Sequence, residues 1–172
     1  MPLTLLGGLT IADSAGAAVA LPTRKTVLVL ATLALLGDKG ASREALVELI
    51  WPDRGDGQGK SSLRQALSAI RKVLPAVLEG TTLESEQDSI RLAGAGSGVD
   101  LHAFETLNVT GSAAGRRQAA DLYAGDLLEG VAMPEPLAAL VAAHRERLRH
   151  QAFALVEALS EADSADAAGR AA

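Results

Sequence analysis

Along this chain the period of apolar residues changes from two to about 3.6 and back again, and each change marks an element. In LTLLGGLTI, Leu3, Leu5, Leu9 and Ile11 recur at alternate positions on either side of Gly7-Gly8, which predicts short strands broken at the glycine pair. SAGAA is a turn, and VALP predicts a further strand before Pro22, so a small N-terminal antiparallel sheet needs one apolar face covered. Arg24 to Leu36 carries the longest apolar run, VLVLATLALL, and predicts a buried helix stopped at Gly37 and the turn GDKG. Ser42 is placed to cap a second helix, REALVELIW, with Leu46, Leu49 and Ile50 inward and Trp51-Pro52 at its end. DRGDGQG reads as a flexible loop. A third helix is predicted over Lys60 to Leu74, KSSLRQALSAIRKVL, where Leu63, Leu67, Ile70 and Leu74 fall within about a third of the helical circumference.

After Pro75 the period returns to two. Thr82-Leu83 and Ser89 to Leu92 flank a polar tip and predict a β-hairpin. A helix, a turn, a second helix and a hairpin follow one another in the order of a winged helix-turn-helix, whose second helix enters the major groove with the hairpin beside it. GAGSG, Gly94 to Gly98, reads as a Gly-rich linker, which divides the chain into residues 1–93 and 99–172. In the second part VDLHAFETL is a short helix that Asp100 can cap, and Arg116 to Tyr123 belongs to another, ended at Gly125. Pro136 to Leu159 is a long helix with Leu137, Leu140, Val141, His144, Leu148, Phe153 and Leu155 inward. The expected fold class is therefore an α+β winged helix-turn-helix with a small N-terminal antiparallel sheet, followed by an all-α helical stack. The Ala-rich tail SEADSADAAGRAA could begin a next helix, so the helical part is expected to be truncated from a longer protein.

Charge sharpens this division. The net charge of −5 argues against nucleic acid until its distribution is considered. Between Pro22 and Pro75 nine basic residues stand against five acidic ones, whereas from Gly94 onward six basic residues face eleven acidic ones. On the Lys60–Leu74 helix, Ser61, Gln65, Ser68 and Lys72 lie opposite the apolar stripe, and Lys60, Arg64 and Arg71 line one flank. Short hydroxyls and an amide can meet base edges, and the long cations can meet phosphates, so this face suits a DNA groove. Arg91 is the hairpin cation expected at the backbone, although Glu84, Glu86 and Asp88 at the tip oppose phosphate. The bland alternative is a solvated amphipathic helix.

Other chemistries fare poorly. There is no Cys, hence no disulfide and no thiolate site. VLVLATLALL is too short to span a bilayer and lies too far in to be a leader, and nothing contradicts a cytoplasmic address. Gly59-Lys60-Ser61 before a helix imitates a phosphate-binding loop, but the glycine required five positions earlier is Arg54. Asp100 and His102 lack a third ligand, and His144 and His150 lie on different faces of one helix. No catalytic residue, metal or cofactor is expected.

LTLLGGLTI, LPTRKTVLVLATLALLGDKGASREALVELIWPD, SSLRQALSAIRKVL, VDLHAFETL, DLYAGDLLEG and HRERLR, in this order over nearly the whole chain, together resemble the SARP-type bacterial activators. In that family an OmpR-type winged helix-turn-helix precedes a bacterial transcriptional activation domain (BTAD) of TPR-like helix pairs. The resemblance implies sequence-specific binding of double-stranded DNA by the Lys60–Leu74 helix, often at direct repeats, and the modest local charge, which implies only a few phosphate contacts per copy, predicts a dimer on repeated half-sites. The resemblance also implies contacts of the helical part with the transcription machinery or with itself. Carried onto this sequence, the base-facing candidates are Ser61, Ser62, Gln65, Ser68 and Ala69, and the backbone candidates are Arg64, Arg71 and Lys72. Relatives frequently carry a basic residue where Ala69 stands, and an aromatic where this chain has MPEPLAAL. The competing function is a protein-interaction module that keeps the winged-helix fold without DNA, as part of a larger regulator.

Overall fold

Two short strands open the chain: β1 (Leu3–Thr4) pairs antiparallel with β2 (Thr10–Ile11), placing Leu3 opposite Ile11. The computed structural model describes residues 1–110 and 112–171, with the side chains of 56, 110, 163 and 165–171 left aside. The strand expected over residues 19–22 does not form. Asp13 accepts the Ala15 and Ala17 N–H groups, one bridge joins Ala12 to Ala18, and the chain then turns directly into a helix capped by Thr23. That helix, α1 (Arg24–Leu36), ends at Gly37 with φ 57, as its sequence predicts. Nine of its thirteen residues are buried, so it is apolar almost all round and sits centrally.

A 3₁₀ turn, Gly37–Lys39, leads to β3 (Ala41–Ser42) and α2 (Arg43–Ile50), where the Ser42 hydroxyl accepts from the Ala45 N–H at 3.0 Å. The next helix departs from expectation. α3 spans Asp56–Val77, so Gly57 and Gly59 are helical and the flexible loop shrinks to the residues before them. Glycine inside a helix costs about 1 kcal/mol relative to alanine. Here packing makes Gly59 necessary, because a Cβ on it would lie 2.4 Å from Val47 Cγ1, where α3 crosses α2. Pro75 lacks an amide donor, yet the helix runs two residues further and buries Val77.

β4 (Thr82–Glu86) and β5 (Ser89–Ala93) form the hairpin, and β3 adds to its other edge, giving the order β3-β5-β4 with Ser42 opposite Ser89. Gln87, φ 51, makes the turn. The Gly94–Gly98 segment is not a free linker: residues Gly96–Gly98 form a 3₁₀ turn and Ala95 is buried. The helices α4 (Asp100–Thr110), α5 (Ala113–Leu122) and α6 (Glu135–Ala171) follow. The tail continues α6 and does not begin a new helix. Phe153, expected inward, is 67% exposed. At about 100° per residue it lies roughly 160° round the helix from Leu155, which is buried.

Four of the sequence blocks named above meet at the N-terminal ribbon and join the two halves. The buried Asp100 carboxylate accepts the Leu5 and Leu6 N–H groups at 2.8 Å each, together with the Leu101 N–H at 2.8 Å. On the other side of that strand, Leu128 N donates to Leu5 O at 2.7 Å and Gly7 N donates to Asp126 O at 2.9 Å. Gly7, φ 79, is required there, since a Cβ would press on Ala124 at 3.1 Å. Arg145 then donates to the Leu127 and Leu128 carbonyls, at 2.8 and 3.0 Å, and Arg149 pairs with Asp126. These contacts make one core out of both halves, from Leu3 and Leu30 through Phe104 to Leu148.

Candidate nucleic-acid interface

The long helix α3 separates its residues cleanly by face. Leu63, Ala66, Leu67, Ile70 and Leu74 are buried against α1 and α2. Lys60, Ser61, Arg64, Gln65, Ser68, Arg71 and Lys72 are exposed, and Ser62 and Ala69 are half-buried at the edge. The physical cause is the 3.6-residue period: once Leu63, Leu67, Ile70 and Leu74 are inside, the intervening polar residues must face out.

Two grooves flank the exposed ridge. One, of about 400 Å³, lies between the start of α2, α3 and the hairpin tip, and is lined by Arg43, Glu44, Lys60, Leu63, Arg64 and Asp88. The other, of about 430 Å³, brings Ser62, Gln65 and Ala69 together with Lys25, Trp51 and Arg54. In it the Arg54 guanidinium donates to Ser62 Oγ at 2.7 Å, and Lys25 Nζ stands 5.7 Å above the centre of the Trp51 ring. Cations thus stand on both sides of a ridge of hydroxyls and one amide. Phosphates on either wall of a DNA groove and base edges between them have that spatial order.

Arg43, Arg54 and Lys25 were not among the expected contact residues. Arg43 directly follows the Ser42 cap at the helix start, a local signal that could have singled it out. Arg54 and Lys25 reach the α3 flank only through tertiary packing. Arg91 is not gathered with the others. Its Nε donates to Glu84 Oε2 at 2.9 Å, and the guanidinium lines a separate hollow with Asp38, Lys39, Glu86 and Ser89. The Glu84 carboxylate holds the Arg91 pKa above its ordinary value.

The alternative chemistries find no geometry among the described residues. Gly59 and Lys60 lie within α3, and the Gly59 N–H already donates to Gly55 O at 3.0 Å, so this segment is helix and not the extended loop that wraps a phosphate. Asp100 uses its oxygens on three amides, and burial pushes its pKa up against the opposing pull of those donors. His102 Nε2 is 2.7 Å from Ala34 O, and His144 Nδ1 is 2.9 Å from Leu140 O. No described helix is long and apolar enough to cross a membrane.

No protein-family model matches the chain, and no curated protein does. Among solved structures it is similar to Mycobacterium tuberculosis EmbR, in complex with a low-affinity phosphopeptide, with a TM-score of 0.74 and 22% sequence identity. The match covers 98% of this chain and 47% of EmbR, so the chain spans about half the length of that protein. At this identity the likeness is one of fold, and it extends across both halves and the joint between them.

Proposed function

We propose that the chain is a sequence-specific DNA-binding transcription regulator, an activator without enzymatic activity, that reads the major groove with α3. The observation that carries this is the α3 ridge: an exposed run of Ser61, Gln65 and Ser68 bordered by Lys60, Arg64, Arg71 and Lys72, with a hairpin alongside. The order of α2, α3 and the β4–β5 hairpin fits a winged helix-turn-helix, and the successive helices α4 to α6, with α5 packed on both α4 and α6, fit a TPR-like activation domain. The fold shared with EmbR and the sequence resemblance to SARP-type activators support the same assignment. In this proposal residues 1–93 read DNA, and residues 99–172 contact the transcription machinery or a second copy. Because few phosphates are within reach of one copy, binding is weak for a monomer and strengthens on repeated half-sites.

Selection from a random double-stranded DNA pool tests this, run in parallel with an Arg64→Ala, Arg71→Ala double variant checked for folding by circular dichroism. The expected result is an enriched motif of two spaced half-sites that the variant loses. No enrichment from a folded wild-type protein would favour the interaction-module reading and direct attention to the helical half.

A further inference from the structure

The groove between α2, α3 and the hairpin tip contains a feature that a simple basic patch would lack. Its walls come from three elements. Arg43 opens α2, and its Nη2 donates to Ser85 Oγ on β4 at 2.7 Å, so the guanidinium is held between helix and hairpin. The Arg43 N–H donates to Asp88 O at 2.9 Å, which pins the hairpin tip to the same place. Lys60 and Arg64, one turn apart on α3, form the facing wall, and the buried Leu63 closes the floor. Within this space of about 400 Å³ stand three cations and two carboxylates, Glu44 and Asp88, both exposed.

We propose that this groove is a phosphodiester seat whose attraction is deliberately limited by Glu44 and Asp88, which makes these two acids determinants of affinity for DNA. The inference rests on the reading above that the α3 ridge meets DNA. The three side chains that reach into the groove with donors are all long cations, Arg43 among them held between the helix start and the hairpin, and no amide or hydroxyl side chain lines it, so its charge suits a phosphate of the backbone. A phosphate entering it meets an excess of one positive charge where the cations alone would offer three. Backbone attraction is the same for every sequence, so limiting it leaves residence on DNA to depend on base contacts by Ser61, Gln65 and Ser68 and on a second copy.

The test is fluorescence-anisotropy titration of the full chain with a labelled duplex, the selected site and a scrambled one, over a range of salt. Glu44→Gln and Asp88→Asn should each tighten binding to both duplexes at low salt, by roughly fivefold, as expected for removing one like charge a few ångströms from a phosphate. Asp121→Asn, which changes the net charge equally on the exposed face of α5, should leave affinity nearly unchanged. Arg43→Ala should weaken both duplexes alike and flatten the salt dependence by about one phosphate contact. A wild type that binds the selected site, with Glu44→Gln and Asp88→Asn no tighter than Asp121→Asn, or with Arg43→Ala unchanged, overturns the seat and leaves DNA reading intact. A folded wild type that binds no duplex overturns both.

Discussion

Asp100 is the residue whose loss should be felt most, because it serves both halves of the molecule at once. It is 2% exposed, and its carboxylate accepts three amide N–H groups, two of them from Leu5 and Leu6, almost a hundred residues earlier in the chain. Asp100→Ala would strand those two buried donors and uncap α4. Each stranded buried group costs about 1–3 kcal/mol, so the substitution should destabilise the protein by roughly 3–5 kcal/mol, a large share of the ~5–15 kcal/mol that holds a typical domain. Asp100→Asn keeps one acceptor oxygen and turns an NH₂ toward an N–H donor, so it should fall between alanine and wild type. Urea denaturation followed by circular dichroism measures this, with Asp121→Ala on the surface expected within about 0.5 kcal/mol of wild type. The pH dependence carries a definite sign. Burial raises the folded-state pKa above the unfolded one, so the folded state binds the extra proton and stability falls as pH rises from the unfolded pKa through the folded one. Asp100→Asn should remove that fall. A cost below about 1 kcal/mol for Asp100→Ala would refute the view that this carboxylate joins the two halves.

Further outcomes follow from the same geometry. Asp126, whose pKa the Arg149 guanidinium holds below the ordinary range, contributes in the opposite sense: its stabilisation is present above the unfolded pKa and is lost as pH falls through the folded one. Acid titration of Asp126→Asn should therefore show a shallower loss of stability at low pH than wild type. Gly59→Ala should be destabilising by about 1–3 kcal/mol despite alanine's better helix propensity, because its Cβ would meet Val47 Cγ1 at 2.4 Å. Adding Val47→Ala should recover part of the lost thermal stability. Leu67→Ala should cost about 2–5 kcal/mol through a core cavity, so loss of DNA binding in that variant would report folding and not contact. Gln65→Ala should cost roughly 1–3 kcal/mol on the selected site and little on scrambled DNA, measured by the same anisotropy titration.

Much of this molecule was legible before any coordinates. The bounds of α1, the Ser42 cap, the hairpin and the inward stripe of α3 are local matters, decided by period, capping hydroxyls and turn residues within a few positions. The exposed ridge of Ser61, Arg64, Gln65, Ser68, Arg71 and Lys72 follows from the buried stripe by simple helical phase. Where reading along the chain failed, the deciding contact came from elsewhere in it. Composition makes DGQG a loop, but the segment is the first turn of α3, packed so closely on Val47 of α2 that only glycine fits at 59. GAGSG looks like a linker, yet the Asp100 carboxylate and the Leu5–Leu6 amides pull the halves together on either side of it. Arg91 has the right charge for a wing contact, but Glu84 lies directly across the strand pair and claims it. Conversely, Arg43 and Arg54 reach the two grooves beside the α3 ridge because the hairpin tip and Ser62 hold them there. Sequence alone determines which side of a regularly patterned helix such as α3 must be buried, because that depends on spacing and hydrophobicity. Only the tertiary structure decides which charges share a groove and which carboxylate joins two halves, because those depend on residues brought together across nearly a hundred positions.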